Sequence, residues 1–384
     1  MANTITNMIP IIYDALDIVS RELVGFIPAA GRDSSADQVA LNQTINIYIA
    51  PAASTADVTP GTTAPDDGDQ TMGNTTMTIN KSKYSPVRWS GEEQLSVSKN
   101  PSARQAVIDQ FAQSMRALVN LVEVDLANAA YQGASRAYGT AATTPFGTAG
   151  DLTDMAGIIK ILDDNGAPKT GRQLVLGTAA MANIRGKQNV LFKVNEAGTD
   201  ELLRQGIIGR LMGADIRDSA GVPTPTKGTG ATWQLNGAHA VGATTINVDT
   251  GSGTILAGDV ITIANGTPAD SNKYVVTTAL SGGVLTIGSP GLRSSHVDND
   301  AVTVGNTATQ NVYFQRNYLQ LATRTPAMPE GGDAADDVTT VVDPVSGLAF
   351  QVALYRQYRR IKWEIGLAWG VKAVKGDGIC VLLG

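Results

Sequence analysis

Apolar residues recur at three- and four-residue spacing over 8–24, where Ile9, Ile12, Leu16, Val19 and Leu23 share one face and predict a helix. Pro10 falls in its first turn, where its missing N–H costs nothing. Gly25, Pro28 and the run Gly31-Arg32-Asp33-Ser34-Ser35 then break the pattern. Beyond it the period changes to two: Ile45, Ile47 and Ile49 face one side of a strand, Asn46 and Tyr48 the other. From Pro51 to Gly73 the chain is Pro, Thr, Ala, Asp and Gly with few large apolar residues. Extended sequence returns at Thr76–Lys81 and Tyr84–Trp89. Two long strands around a polar tip predict a hairpin arm. Such an arm buries too little apolar area to stand alone, so it should rest on something outside its own domain.

After Asn100-Pro101, an N-cap residue followed by proline at the first helical position, Val107, Phe111, Leu118, Val122 and Leu126 form one apolar stripe that ends at Gly133. About 32 residues at ~1.5 Å each predict a rod of roughly 48 Å. A Gly/Thr/Ala loop over 139–150 follows, then a helix near 152–164, a strand at Gln173–Leu176, helices near 178–187 and 199–208, and a strand around Leu211–Arg217. At Pro223–Gly228 the texture shifts to short β segments: Thr245–Val248, Asp259–Ile263, Tyr274–Thr277, Val284–Ile287 and Ala301–Val304. Asn265-Gly266 and Gly282-Gly283 suit hairpin turns. This predicts a small all-β barrel or sandwich inserted into an α+β body. Val312–Thr323 resumes strand, Met328–Asp337 is a Gly/Asp loop, and 338–342, 346–355 and 358–374 read as long antiparallel strands. There is no internal repeat.

The 384 residues divide into two or three folded units at the usual ~100–200 residues each. With 43% apolar and 17% charged residues, global disorder is excluded. A net charge of −6 without a basic block argues against wrapping nucleic acid by neutralising phosphates. No apolar run approaches the ~18–20 residues of a membrane span, and the N-terminus lacks the basic start of a signal peptide. The single cysteine, Cys380, excludes an internal disulfide framework and a multi-cysteine metal site. The 41 glycines beside so few charges suit many tight turns in a surface that neighbours cover.

Candidate chemistry is sparse. Asp249-Thr250-Gly251-Ser252 has the form of an aspartic-protease turn, but that chemistry needs a second carboxylate. The nearest second candidate, Asp218-Ser219-Ala220-Gly221, has one residue too many before its glycine. A turn between short strands explains the motif as well. His239 and His296 stand at no metal-ligand spacing and are expected as surface or turn histidines, although Asp298 and Asp300 after His296 could hold a cation. Asp66, Asp67 and Asp69 miss the calcium-loop pattern and suit a solvated or inter-subunit acidic tip. Gly266-Thr267-Pro268 and Lys273 do not make a phosphate loop. Arg356, Arg359, Arg360 and Lys362 with Tyr355, Tyr358 and Trp363 are the one basic-aromatic concentration. Alternation puts Tyr358, Arg360 and Lys362 on one face, and Arg359, Ile361 and Trp363 on the other. A nucleic-acid patch and an inter-subunit contact both fit that composition.

The order of elements resembles the major capsid proteins of tailed bacteriophages, the Hong Kong 97-type fold. Local sequence agrees in the stretch Gly206 to Ser219, similar to the axial domain of these proteins. Gly258–Ile263 resembles a strand of the insertion carried by short-tailed Salmonella-type coat proteins. Ala368–Ala373 and Gly378–Leu382 resemble the family's C-terminal end. The resemblance implies an α+β capsid fold divided as follows: N-arm 1–35, extended loop 36–98, spine helix and peripheral domain 99–150, axial domain 151–228, inserted β-barrel 229–305, axial domain continued 306–335, and peripheral strands with the C-terminal return 336–384. It implies a non-enzymatic protein without cofactors or metals that forms hexamers and pentamers of an icosahedral virion head around double-stranded DNA. Its implied partners are other copies, a scaffolding protein, a portal protein and, as a further candidate, a decoration protein; no membrane is involved. Because folded signals begin by residue 8, the scaffold is expected to be a separate chain. Asp66, Asp67, Asp69, Arg356, Arg359, Arg360 and Trp363 are the expected assembly contacts. A cellular nanocompartment shell and an acid protease built on Asp249 remain the alternatives.

Overall fold

The computed structural model describes residues 13–16, 18, 25–49, 55, 57–63, 69, 71–98, 103–188, 209–343 and 347–384. Of the helix expected over 8–24, the described part is the helical turn 13–16 with residue 18; the helix at 199–208 and the Asn100-Pro101 cap lie outside these residues. A short helix, α1 (Phe26–Ala29), stands where only chain breakers were read. Strand β1 (Gly31–Val39) follows it, although its sequence lacks apolar alternation. The arm is β2 (Thr44–Ile49) paired with β3 (Gly73–Thr78), from Thr44 opposite Thr78 to Ile49 opposite Gly73. The next stretch, β4 (Lys81–Ser90), was expected to continue the arm but belongs to the body. Its end turns into α2 (Gly91–Ser98), where Ser90 and Glu93 exchange capping bonds: Glu93 N–H donates to Ser90 Oγ at 3.3 Å, and Ser90 N–H to Glu93 Oε2 at 2.7 Å.

The long helix α3 (Ala103–Gln132) has 30 residues, about 45 Å at 1.5 Å each. Ile108, Phe111, Met115, Leu118, Val122 and Leu126 are buried along one stripe, as the spacing required. Beyond β5 (Arg136–Gly139) come α4 (Thr153–Asp164), β6 (Arg172–Leu176) and α5 (Thr178–Lys187). The strand expected at Leu211–Arg217 is a tight hairpin, β7 (Arg210–Leu211) and β8 (Ala214–Asp218), because Met212 and Gly213 adopt positive φ and reverse the chain.

Six strands follow: β9 (Trp233–Leu235), β10 (Thr245–Asp249), β11 (Val260–Ile263), β12 (Lys273–Ser281), β13 (Val284–Ile287) and β14 (Ala301–Val304). They pair in the order β11-β14-β9-β10-β13-β12, and β12 returns to β11, so the sheet closes into an antiparallel barrel. Leu235, Ile246, Val248, Ile261, Tyr274, Val276 and Leu285 fill it. Gly282 and Gly283, both at positive φ, make the β12–β13 turn. The stretch expected as one strand over 312–323 is two, β15 (Gln310–Gln315) and β16 (Leu319–Pro326). A 3₁₀ turn at Arg316–Tyr318 sends them into different sheets. The chain closes with β17 (Asp337–Val342), β18 (Ala349–Gln357), β19 (Arg360–Ala373) and β20 (Ile379–Leu383).

Two sheets sandwich the long helix. In one, β19 is the shared strand: β4 lies along residues 360–369, β18 along 360–366 and β16 along 368–373, with β17 and β1 outermost. The other runs β8-β6-β15-β20-β5 and passes directly into the barrel through β5–β12, where Ala137 faces Lys273 and Arg136 faces Tyr274. The main core joins α3 to both sheets through residues such as Phe111, Val312, Phe314, Phe350, Trp363, Ile365 and Val381. Among the described residues, no helix is long and apolar enough to cross a membrane.

Glu123, partly buried on α3, ties three segments together. Its carboxylate accepts from the N–H groups of Phe26 (2.6 Å) and Ile27 (3.0 Å) at the start of α1, and from the Ser219 hydroxyl (2.8 Å) after β8. Burial raises its pKa above the ordinary 4.5, and the three donors only partly offset this. A raised carboxyl pKa means the native state holds the proton more tightly than the unfolded chain. Stability from this group is therefore greatest below about 4.5 and falls as pH climbs through the raised value. Glu123→Gln, which turns an amide donor toward those donors, should cost about 1–3 kcal/mol. The gap in thermal midpoint between wild type and variant should narrow from pH 4.5 to 7; a gap that widens contradicts the assignment.

Candidate assembly surfaces

The arm leaves the body with little core of its own. Met77 and Ile79 at its root are buried with Val39, Ala322 and Ala368, and Ile45 and Ile47 pack partly against them. Farther out, Tyr48 is 69% exposed, and Val58 and Met72 are exposed too. Asp69 is exposed; Asp66 and Asp67 lie outside the described residues.

The basic-aromatic concentration is the closed end of the β18–β19 hairpin. Gln357 faces Arg360, so Tyr358-Arg359 is a two-residue turn rather than strand, with Arg359 at φ 54°. This corrects the alternation read from sequence. Gly91 N–H donates to Arg359 O at 3.1 Å, which holds the turn against the start of α2. Tyr358 is 87% exposed, and the Arg359 guanidinium lies 5.6 Å from its ring centre. Arg356 is tied to Asp336, its N–H donating at 2.9 Å and its Nε 3.5 Å away. Register therefore gathers Arg356, Arg359 and Arg360 at one tip. Lys362 turns back from it, lying 5.1 Å from the Tyr84 ring centre and 5.5 Å from that of Tyr355, and pairs with Glu364 at 2.5 Å. Trp363 is a correction. It faces the long helix, edge-on to Phe111 at 5.9 Å, and is core rather than contact surface.

Both histidines are buried, against the expectation of surface or turn positions. Their backbones pair with each other across the barrel mouth. His239 Nε2 accepts from Asn247 N–H at 3.1 Å, so its proton sits on Nδ1 facing Gly237 O at 3.0 Å. His296 lies between two carboxylates, Nδ1 at 3.2 Å from Asp300 and Nε2 at 3.2 Å from Asp270. Asp270 also accepts from the Tyr274 hydroxyl (2.6 Å) and from the Asn272 side chain (2.6 Å), whose own carbonyl takes a bond from Arg136 (2.7 Å) in β5. Burial opposes ionisation of both aspartates, yet the bonds to Asp270 from Tyr274, Asn272 and His296, and to Asp300 from Asn265, Val297 and His296, hold them below the usual carboxylate range. The partner of His296 that sequence missed is Asp270, 26 residues away on the other loop of the same barrel mouth. Local spacing carries no such signal.

The remaining motifs do not converge. Asp249 ends β10, and its carboxylate accepts from the neighbouring Thr250 hydroxyl at 2.8 Å. Asp218 ends β8, and six strands intervene along the sheet between β10 and β8. The two turns cannot share a proton. Among the described residues, no group of His, Cys, Asp and Glu is arranged to hold a metal ion. Cys380 is fully buried, and burial pushes its thiol pKa up, which makes it unreactive. A cleft of about 1050 Å³ flanks the barrel–body seam, with Arg136, Asp154, Lys160, Asn272 and Lys273 in its walls. It lacks the apolar anchoring of a small-molecule pocket.

No known protein family's profile and no curated protein sequence matches the chain. Solved structures do. The capsid structure of the cyanophage P-SCSP1u matches at 12% identity over 94% of this chain and 88% of that one, with a TM-score of 0.50. A protein of Mycobacterium phage Che8 matches at 14% identity over 94% and 90%, TM-score 0.45. The virus-like particle from Pyrococcus furiosus matches at 10% identity over 96% of each chain, TM-score 0.41. The cyanophage match carries the assignment of fold: the chain has the α+β Hong Kong 97-type fold that its element order predicted.

His296→Ala should cost about 3–5 kcal/mol in barrel stability, because it strands two buried carboxylates. Hydrogen exchange in β11 and β14 should report it, and unchanged protection there would show that the triad holds nothing. With both aspartate pKa values lowered, the triad's stabilisation is full above the ordinary 3.8 and is lost as pH falls below it.

Proposed function

We propose that this chain is a shell-building protein, the major capsid protein of a tailed bacteriophage. On this reading copies assemble as hexamers and pentamers into an icosahedral head that encloses double-stranded DNA. The observation that carries the reading is the arm: a two-stranded ribbon with exposed Tyr48 and Met72 on a body of capsid fold. A ribbon of this kind is stable only when something covers it, and a neighbouring copy is the cover the fold suggests. Scaffolding and portal proteins, and a decoration protein on the outer face, are the partners this role calls for. The assembled product is a virion built in the host cytoplasm. On this reading the barrel takes the place of the insertion of Salmonella-type coat proteins, and Asp270, on its short Ala264–Lys273 loop, turns inward to His296. The net charge of −6 suits a container filled by a motor rather than one that condenses DNA by its own charge.

The contact residues of this reading are Asp69 near the arm tip and Arg356, Arg359 and Arg360 at the hairpin tip. Purified protein, alone or with its scaffold, should form closed shells in negative-stain micrographs. A protein that stays monomeric under every such condition refutes the reading. Shells that carry host cargo and no DNA would make the chain a nanocompartment. Replacing Arg359 and Arg360 by Glu should leave unfolding free energy within the ~0.5 kcal/mol typical of exposed positions while shell yield collapses. Normal shells from that variant would remove the tip from the interface.

A further inference from the structure

Where the arm meets the body, three contacts fix its direction. The root crosses β19 at Gly370, where a Cβ would lie 2.3 Å from Thr78 O and 2.9 Å from its carbonyl carbon. No side chain fits there without lifting the arm. Just beyond, Lys372 reaches up from β19 and donates to Thr75 Oγ1 and to Thr76 O, each at 2.7 Å. Just inside, Lys81 at the start of β4 donates to Asp125 of α3 at 2.6 Å, and Trp369 Nε1 donates to the same carboxylate at 2.8 Å. The β2–β3 ladder continues through the root, with Asn42 N–H on Ile79 O and Ile79 N–H on Gln43 O.

We infer that Gly370 and Lys372 form a pivot that sets the angle at which the arm leaves the body, and through it the curvature of the shell. The second half rests on the capsid reading; the first does not. The Asp125 clasp anchors the root to the rigid helix. Gly370 supplies the fulcrum under Thr78. Lys372 grips two and three residues farther out, so fulcrum and grip together define a line. A lysine suits the grip because its flexible stem follows Thr75 and Thr76 through a small swing while its ammonium keeps both acceptors. Copies in five- and six-fold rings meet at different angles, so an arm reaching a neighbour needs a limited range of directions rather than one direction or all of them.

The test uses two spin labels, on Asn74→Cys in the arm and Gln113→Cys on α3, both exposed positions. Cys380, being fully buried, stays unlabelled. In dissociated protein, Lys372→Met should broaden the distance distribution about twofold, as a two-state element released to more orientations does, while Lys372→Arg keeps it narrow. Gly370→Ala should shift the mean outward. An unchanged width in Lys372→Met overturns the pivot, whatever the other variants do. Under assembly conditions, wild type should give shells of one diameter and Lys372→Met a mixture. Uniform shells from a variant whose arm is measurably loosened overturn the link to curvature. Absence of shells from wild type refutes the capsid reading instead, and the distance measurement still decides the pivot.

Discussion

The structure depends on one constraint: the apolar stripe of a 45 Å helix must be covered along its whole length. Ile108, Phe111, Met115, Leu118, Val122 and Leu126 cannot be buried by any single small sheet. Two sheets approach from different parts of the chain, and their strands meet on the helix in one continuous core. At roughly 25 cal/mol per Å² of apolar surface removed from water, burial of this kind is the main favourable contribution to the fold. Everything else hangs from it: the arm at the end of β3, the hairpin tip beyond β18, and the barrel beyond β5.

Polar contacts then set angles that apolar burial leaves open. Glu123 fixes the N-terminal segment and the end of β8 to the helix, and Asp125 fixes the root of the arm. The chain of bonds from His296 through Asp270 and Asn272 to Arg136 connects the barrel mouth to the body. Each links elements far apart in sequence through partly or fully buried polar groups. Such networks contribute modestly to net stability but are costly to break, so they specify one arrangement among several of similar burial.

Much of this was legible from residue order. The long helix, the arm's β2–β3 pairing, α4, β6, α5 and five of the six barrel strands follow from apolar period and from glycine-rich turns; β9 (Trp233–Leu235), three residues long, carries no such period. Gly282-Gly283 could be read as a hairpin because positive φ at both positions is a local property. Strand β1 could not. Gly31–Val39 reads as a polar run, and it is a strand only because β16 lies beside it in parallel register. The same limit hid the fate of β4, whose partner β19 is some 280 residues away. At the candidate contact surface, Arg356, Arg359 and Arg360 are close in sequence and lie at one hairpin tip, but alternation set Arg359 and Arg360 on opposite faces where the structure has a turn. Alternation also misplaced Trp363, because it gives the face of a strand and not what that face meets.

The sequence by itself determined most of the inventory: the arm strands, one unusually long helix, most strands of the barrel, and an all-β unit that interrupts an α+β body. Those properties follow from local period, turn residues and composition, which act over a few residues. The tertiary structure decided which strands share a sheet, that the barrel closes by β12 on β11, and that both histidines are buried. It also decided that the arm leaves the body over Gly370 under the grip of Lys372. These are outcomes of long-range pairing and close approach. A glycine that must be bare and a lysine that must reach look ordinary in the chain, and only the crossing of β3 over β19 gives them a task.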